Sequence, residues 1–218
     1  NHNGDTPVHL AVANRKNKTV ALLLKKGASA QMRNNSGETP LHMSVWSKYI
    51  AEKLLDAGAA LDTRDNFGDT PLTHAVESEC IDVAEYLIYN GADLHVKGFY
   101  GQTPLHKAVH SKEICELLLR SGTDVGCIDD FGNTPLISAA ENGTPQVVRL
   151  LLNSGADVNI VNDLGESALH KAVERNNPQI VSILLKCGAS PDFQNNNGVT
   201  ALHLATDSVA DTDFSVMT

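Results

Sequence analysis

His106 and His110 stand four residues apart in the stretch GQTPLHKAVHS, residues 101–111. On a helix that spacing puts both imidazoles on one face. It is also the histidine spacing of H-E-x-x-H, in which two His bind zinc and Glu acts as base. Here Lys107 replaces that Glu, and no third ligand is indicated. Other catalytic signatures are missing too. There is no G-x-S-x-G elbow, no Walker phosphate loop and no G-x-G-x-x-G. The residues point away from a metal site, a cofactor and catalysis.

The elements that must position these histidines repeat along the chain. The segments are GDTPVHLAV from Gly4, GETPLHMSV from Gly37, GDTPLTHAV from Gly68, GQTPLHKAV from Gly101, GNTPLISAA from Gly132, GESALHKAV from Gly165 and GVTALHLAT from Gly198. Their glycines step by 33, 31, 33, 31, 33 and 33. A second series, LLLKKGA to ILLKCGA, follows the first six of them. Thr-Pro starts a helix, because Thr caps free N–H groups and Pro suits the first helical position. The second segment is apolar at helical spacing and ends at a Gly suited to a left-handed C-cap. Polar, turn-forming residues then lead to the next unit. One helix pair is too short to bury its own apolar face, so neighbours must stack.

This pattern resembles ankyrin-repeat proteins, whose repeat is about 33 residues with a T-P-L-H-x-A signature. Thr73 and Ile137 depart from the signature His, and Ala168 and Ala201 from its Pro. The resemblance implies an all-α solenoid of helix-turn-helix units with projecting β-hairpin loops. It implies one array over residues 1–218, with repeats at about 1–33, 34–64, 65–97, 98–128, 129–161, 162–194 and a partial 195–218. It makes His106 a scaffold residue, hydrogen-bonded within and between repeats, like His9, His42, His170 and His203. The two 31-residue repeats lose their residues between the two helices, which predicts a tightened turn there and unaffected hairpins. The chain starts at Asn1, and Phe214, Val216 and Met217 fit a second helix that stops at Thr218. Both ends suggest a piece of a longer array or a larger protein.

Composition narrows the partner. The net charge is −9, unevenly spread. Residues 1–33 carry six basic residues against Asp5 alone, a net +5, while the rest has 11 bases and 25 acids, a net −14. An acidic body argues against a nucleic-acid footprint and suits a basic partner. No apolar run nears the roughly 18–20 residues that span a membrane. Cys80, Cys115, Cys127 and Cys187 are widely spaced and read as reduced, mostly buried thiols in a reducing compartment. Those features predict a location in the cytoplasm or nucleus.

Partner-binding residues should be those that do not repeat. The resemblance implies that hairpin tips and first helices line a concave face. Phe67, Phe99, Tyr100, Phe131 and Leu164 put large apolar groups on four successive tips. Trp46 and His110 occupy variable positions after their repeat glycines. Asp69, Glu77, Asp130, Glu141, Asp163, Glu166 and Glu174 make the middle acidic; of these Asp69, Glu77, Asp130, Glu141, Glu166 and Glu174 join the expected site. Such a face suits a protein or peptide with basic and apolar groups. Asn159 occupies a position at which the family resemblance allows hydroxylation. The expected function is non-catalytic protein–protein interaction. The alternative is a cytosolic regulatory or scaffold segment of a larger protein: an ion channel, a ubiquitin-ligase substrate receptor, or an inhibitor masking a basic segment of a transcription factor.

Overall fold

A computed structural model describes residues 1–210, with the backbone alone at 207–210. The expected helix at Phe214, Val216 and Met217 lies outside the described residues. Helices alternate with loops in chain order: α1 (Pro7–Ala13), α2 (Asn17–Lys25), α3 (Lys48–Asp56), α4 (Pro71–Glu77), α5 (Ile81–Tyr89), α6 (Pro104–Lys107), α7 (Lys112–Arg120), α8 (Pro135–Asn142), α9 (Pro145–Asn153), α10 (Ala168–Glu174), α11 (Pro178–Lys186) and α12 (Ala201–Ala210). The chain divides into two compact units. The first is Asn1–Ala108 with Arg120–Thr123, and the second is Val109–Leu119 with the residues from Asp124 on.

Within the first unit, helices stack in two layers. α1, the 3-10 turn His42–Ser44, α4 and α6 follow one another in one layer, and α2, α3 and α5 in the other. Val12, Val20, Leu41, Ile50, Leu54 and Leu72 fill the space between. In the second unit α8, α10 and α12 form one layer and α9 and α11 the other, over Leu136, Leu151, Ile180 and Leu184. No single helix pair could make such a core, which is why the units stack.

Several helix boundaries have a local cause. Thr6, Thr70 and Thr134 cap α1, α4 and α8 by accepting a backbone N–H of the first turn, with Pro next in line. α2, α3, α5, α9 and α11 end in a Schellman turn. At α2, for example, Gly27 N–H donates to Leu24 O and Ala28 N–H to Leu23 O. Gly27, Gly58, Gly91, Gly122, Gly155 and Gly188 all have φ between +83° and +94° there, a conformation that only glycine adopts cheaply.

The two short repeats show where their residues went. Their second helices, α3 and α7, keep nine residues, as in the long repeats. The loss falls on the first helix and the turn after it. The second repeat keeps only the 3-10 turn His42–Ser44, and the fourth has the four-residue α6 and the 3-10 turn Ala108–His110. In three long repeats the first helix instead leads to a left-handed residue: Arg15 (φ 55°), Glu79 (φ 54°) and Asn176 (φ 50°). The inter-helix turn is tightened as expected, but the first helix is shortened as well, which the expectation had left whole.

The projecting loops are the expected hairpins in a minimal form. Isolated antiparallel bridges occur at Val161–Ser167 and Gln194–Thr200, and no continuous strand is present among the described residues. Each loop is a tight finger closed by one recurring backbone bond, such as Asn34 N–H to Glu38 O at 2.9 Å and Asn162 N–H to Glu166 O at 3.0 Å. A side chain does the rest. Oδ1 of Asn34, Asp65, Asp129, Asn162 and Asn195 accepts two finger N–H groups each, an Asx turn. This chemistry reinforces the short antiparallel pairing.

Candidate functional site

The signature histidines are scaffold groups, and their bonding shows why. Nδ1 of His106 lies 2.9 Å from Thr103 Oγ1 and accepts the Thr103 N–H at 3.2 Å. His9, His42 and His170 repeat this with Thr6, Thr39 and Ser167. Because Nδ1 accepts a backbone N–H, the ring proton sits on Nε2. Nε2 then donates to a carbonyl of the next finger: Glu38 O for His9, Asp69 O for His42 and Val199 O for His170. The ring thus ties a helix start to the neighbouring repeat. His106 has its Nδ1 committed in this way, and His110 ends the 3-10 turn, exposed. Where His is replaced, Thr73 Oγ1 meets Thr70 Oγ1 at 3.2 Å, and Ile137 fills the space with a buried apolar side chain.

The first unit gathers three of the expected aromatics. Phe67 and Phe99 meet edge to face, with ring centroids 5.5 Å apart. Phe99 and Tyr100 are 3.8 Å apart, tilted by 43°. All three rings are exposed. The fourth finger is built differently from the others. Gly98 stands where they carry Asn or Asp, so no Asx turn forms. Tyr100 takes φ 56° within a 3-10 turn Phe99–Gly101. That conformation sets Tyr100 beside Phe99.

Asp69, expected as an exposed carboxylate, is 6% exposed. Its Oδ1 is buried without a hydrogen-bond donor. Burial pushes its pKa up, with Glu77 and Asp65 adding to that and Lys107 and His74 opposing. Asp5 and Asn133, at the same place in their repeats, receive Asn34 Nδ2 and Asn162 Nδ2 of the next finger. Gly98 has no amide to offer Asp69. Glu77 is paired with Lys107 at 2.6 Å.

Trp46 lies away from the fingers, in the inter-helix turn of the second repeat. It is half-buried, with the Arg15 guanidinium 5.6 Å from its ring centroid. It stacks in the turn row rather than on the expected face.

The second unit brings four of the expected residues around one groove. Phe131, Leu164, Glu141 and Glu166 line a hollow of about 240 Å³ together with Asn162 and Lys171. Phe131 and Leu164 are exposed. The carboxylates are not bare. Lys171 Nζ sits 2.6 Å from Glu166 and 3.3 Å from Glu174, and Arg175 sits 2.5 Å from Glu141. Burial works against the Lys171 charge, but its bonds to Glu166 and Glu174 win and raise its pKa. Asp130 is exposed. The acidic middle is therefore a set of ion pairs held within the chain, more than a free negative field. Sequence reading missed Lys107 and Lys171 because it treated their positions as scaffold, and it placed Arg175 at a variable position without a partner acid. Lys107 lies one repeat from Glu77, whereas Lys171 pairs within its own repeat, five residues after Glu166 and three before Glu174.

The thiols also differ from expectation. Only Cys115 is buried, Cys80 and Cys127 are half-buried, Cys187 is exposed, and none is in a disulfide.

Family comparison decides the class. A family profile described as ankyrin repeats (3 copies) matches residues 1–65, 95–162 and 154–213, and one described as ankyrin repeats (many copies) matches 54–108. The chain belongs to the ankyrin-repeat family. Ankyrin-repeat domains are a protein–protein interaction fold. Among solved structures, the chain is similar to the ankyrin repeat domain of Bcl-3, described as a unique member of the IkappaB protein family. That match has 34% identity and a TM-score of 0.79, over 93% of this chain and 95% of that one. It is also similar to the human ASB11 ankyrin repeat domain, at 26% identity and TM-score 0.82, over 92% of each chain. A search of curated protein sequences returned no match. Among the described residues no helix is long and apolar enough to cross a membrane.

Proposed function

We propose that this ankyrin array binds a partner protein or peptide through its fingers and first helices and performs no chemistry. The observation that carries this reading is the groove of Phe131, Leu164, Glu141 and Glu166, with the exposed cluster Phe67, Phe99 and Tyr100 as a second anchor on the first unit. Exposed aromatics held by neighbouring rings are rigid and lose little entropy on binding. The partner side chains that fit are apolar groups for the rings, with Arg or Lys to compete for the paired carboxylates. Asp130 lies exposed on a finger of the second unit and adds to its rim, whereas His110 stands in the shortened inter-helix turn, the place that Trp46 holds in the second repeat. Such a module would serve as a regulatory or scaffold segment. Masking of a basic segment of a transcription factor, which would suit the carboxylates of the groove, is one such role.

Asn159 is proposed as a modification site within the same array. Its Nδ2 donates to Gly188 O at 3.2 Å and its Oδ1 accepts Ser190 N–H at 3.0 Å. A hydroxylating enzyme would have to open both bonds. Peptide mass spectrometry of protein from native cells tests this by one added oxygen on Asn159. The binding itself is tested by affinity capture with wild type and the Phe67/Phe99/Phe131 triple Ala variant. Retention of every captured protein by the triple variant overturns the proposed surface.

A further inference from the structure

The second-helix layer of the first unit departs from the repeat frame at outward positions. Counted from the glycine that ends each second helix, the residue two before it reads Lys25, Asp56, Tyr89, Arg120, Asn153 and Lys186. The residue ten before it reads Asn17, Lys48, Ile81, Lys112, Pro145 and Pro178. Tyr89 is the aromatic break in the first, otherwise polar series, and Ile81 is the one aliphatic residue of the second, whose other members are polar or proline. Tyr89 is 87% exposed. One exposed apolar residue needs no explanation, but grouped departures mark an interaction site.

They line one crease. A hollow of about 370 Å³ is bounded by Trp46, Lys48, Glu79, Ile81 and Asp82. A second of about 330 Å³ is bounded by Lys48, Glu52, Glu85, Tyr86 and Tyr89. Lys48 is common to both, so the two run on from each other between α3 and α5. The charge of the crease is one-sided. Glu52, Glu79, Asp82 and Glu85 face Lys48, with the Arg15 guanidinium over the Trp46 ring at one end, a net −2. None of these four carboxylates is in an ion pair among the described residues, unlike Glu77, Glu141, Glu166 and Glu174. The Lys48 ammonium lies over the Tyr86 ring, 5.6 Å from its centroid, which shows that the ring face accepts a cation. Trp46 Nε1 is buried with no acceptor.

We propose that this crease is a docking surface, separate from the fingers, for a short amphipathic helix of a partner with basic and apolar side chains. Apolar residues of that helix would lie on Ile81, Tyr86 and Tyr89. Its Lys or Arg would pair with the four carboxylates. α3 and α5 are nine residues each, about 13 Å long, so they match roughly two to three turns of a partner helix.

The test uses a fluorescein-labelled Leu/Lys amphipathic peptide of about 14 residues and a Leu/Glu peptide of the same pattern. Trp46 is the single tryptophan, so its emission reports the crease directly. The Leu/Lys peptide is expected to bind, to shift Trp46 emission, and to bind less tightly as salt is added. Ile81→Ser/Tyr89→Ala should weaken it by about fivefold or more at unchanged Tm, since both positions are exposed. Glu52→Gln/Glu85→Gln should weaken it and flatten the salt dependence, and Phe99→Ala should leave it unchanged. Equal binding of the Leu/Glu peptide, no binding of either, or wild-type affinity in both crease variants overturns the proposal. Loss of binding in Phe99→Ala alone overturns it too, and moves the site to the fingers.

Discussion

Oδ1 of Asp69 occupies the space that a Cβ on Gly98 would need. The two residues come from adjacent fingers of the first unit. The missing side chain admits the carboxylate, and the same absence denies it a donor. This local exchange also removes the Asx turn of the fourth finger and leaves Tyr100 in the left-handed region beside Phe99. A scaffold irregularity thus sits under the aromatic cluster. It predicts that Gly98→Ala destabilises by about 1–3 kcal/mol through overpacking. Asp69→Ser should relieve part of that cost, giving a coupling of about 1 kcal/mol in a double-mutant cycle from urea melts. Additive single effects would contradict the geometry.

Acid should cost stability through His42. Its ring is fully buried, and burial, helped by the nearby His74 charge, lowers its pKa from 6.5 to about 4 against the opposing bond to Asp69 O. The neutral ring is the folded form, because Nδ1 accepts the Thr39 N–H. The unfolded chain takes up a proton below pH 6.5 that the folded chain refuses until about pH 4. Stability is therefore fully present above pH 6.5 and falls between 6.5 and 4, by on the order of 3 kcal/mol. Asp69, with its pKa raised by burial, works in the opposite sense. His42→Thr isolates the histidine, since Thr73 fills that position in the third repeat. Urea midpoints across this range should lose most of their acid slope in the variant.

The thiols should separate by reactivity. Burial pushes Cys115 up to about 12, whereas Cys187 is exposed. The thiolate is the nucleophile, so Cys115 should resist iodoacetamide until the protein unfolds. Cys187 should be labelled first. Peptide mapping of a time course checks the order, and early labelling of Cys115 would mean that α7 opens locally.

Much of this fold could be read before its coordinates. Thr-Pro at helix starts, Gly at helix ends and the 33-residue step each have a local physical cause, so the sequence states them directly. The two deletions were legible for the same reason. What misled was counting across them. Nine residues after its glycine, Glu77 ends a helix, but Trp46 lies in a turn that the deletion has shortened. The frame placed Trp46 on the finger face, and the chain placed it beside Arg15. The pairing of Arg175 with Glu141 was not legible, because it joins residues one repeat apart with no local mark. The burial of Asp69 was hidden in a glycine on the following finger. The finger chemistry was half visible: Asn and Asp recur there, but side-chain acceptors and strand pairing give the same composition.

Binding through the fingers should be separable from folding. Phe99 and Phe131 are exposed, so Ala at either position should change stability by less than about 1 kcal/mol. Leu118 is fully buried, and Leu118→Ala should cost about 2–5 kcal/mol. Thermal melts of the three variants check this before any binding is measured.

The most direct measurement of the central claim is the Kd of a captured partner for wild type, Phe99→Ala and Phe131→Ala, each at matched thermal stability. The account predicts that the finger variants bind about tenfold or more weakly, as expected for anchor residues, and that wild-type affinity falls as salt is added. Unchanged Kd in both finger variants would contradict it.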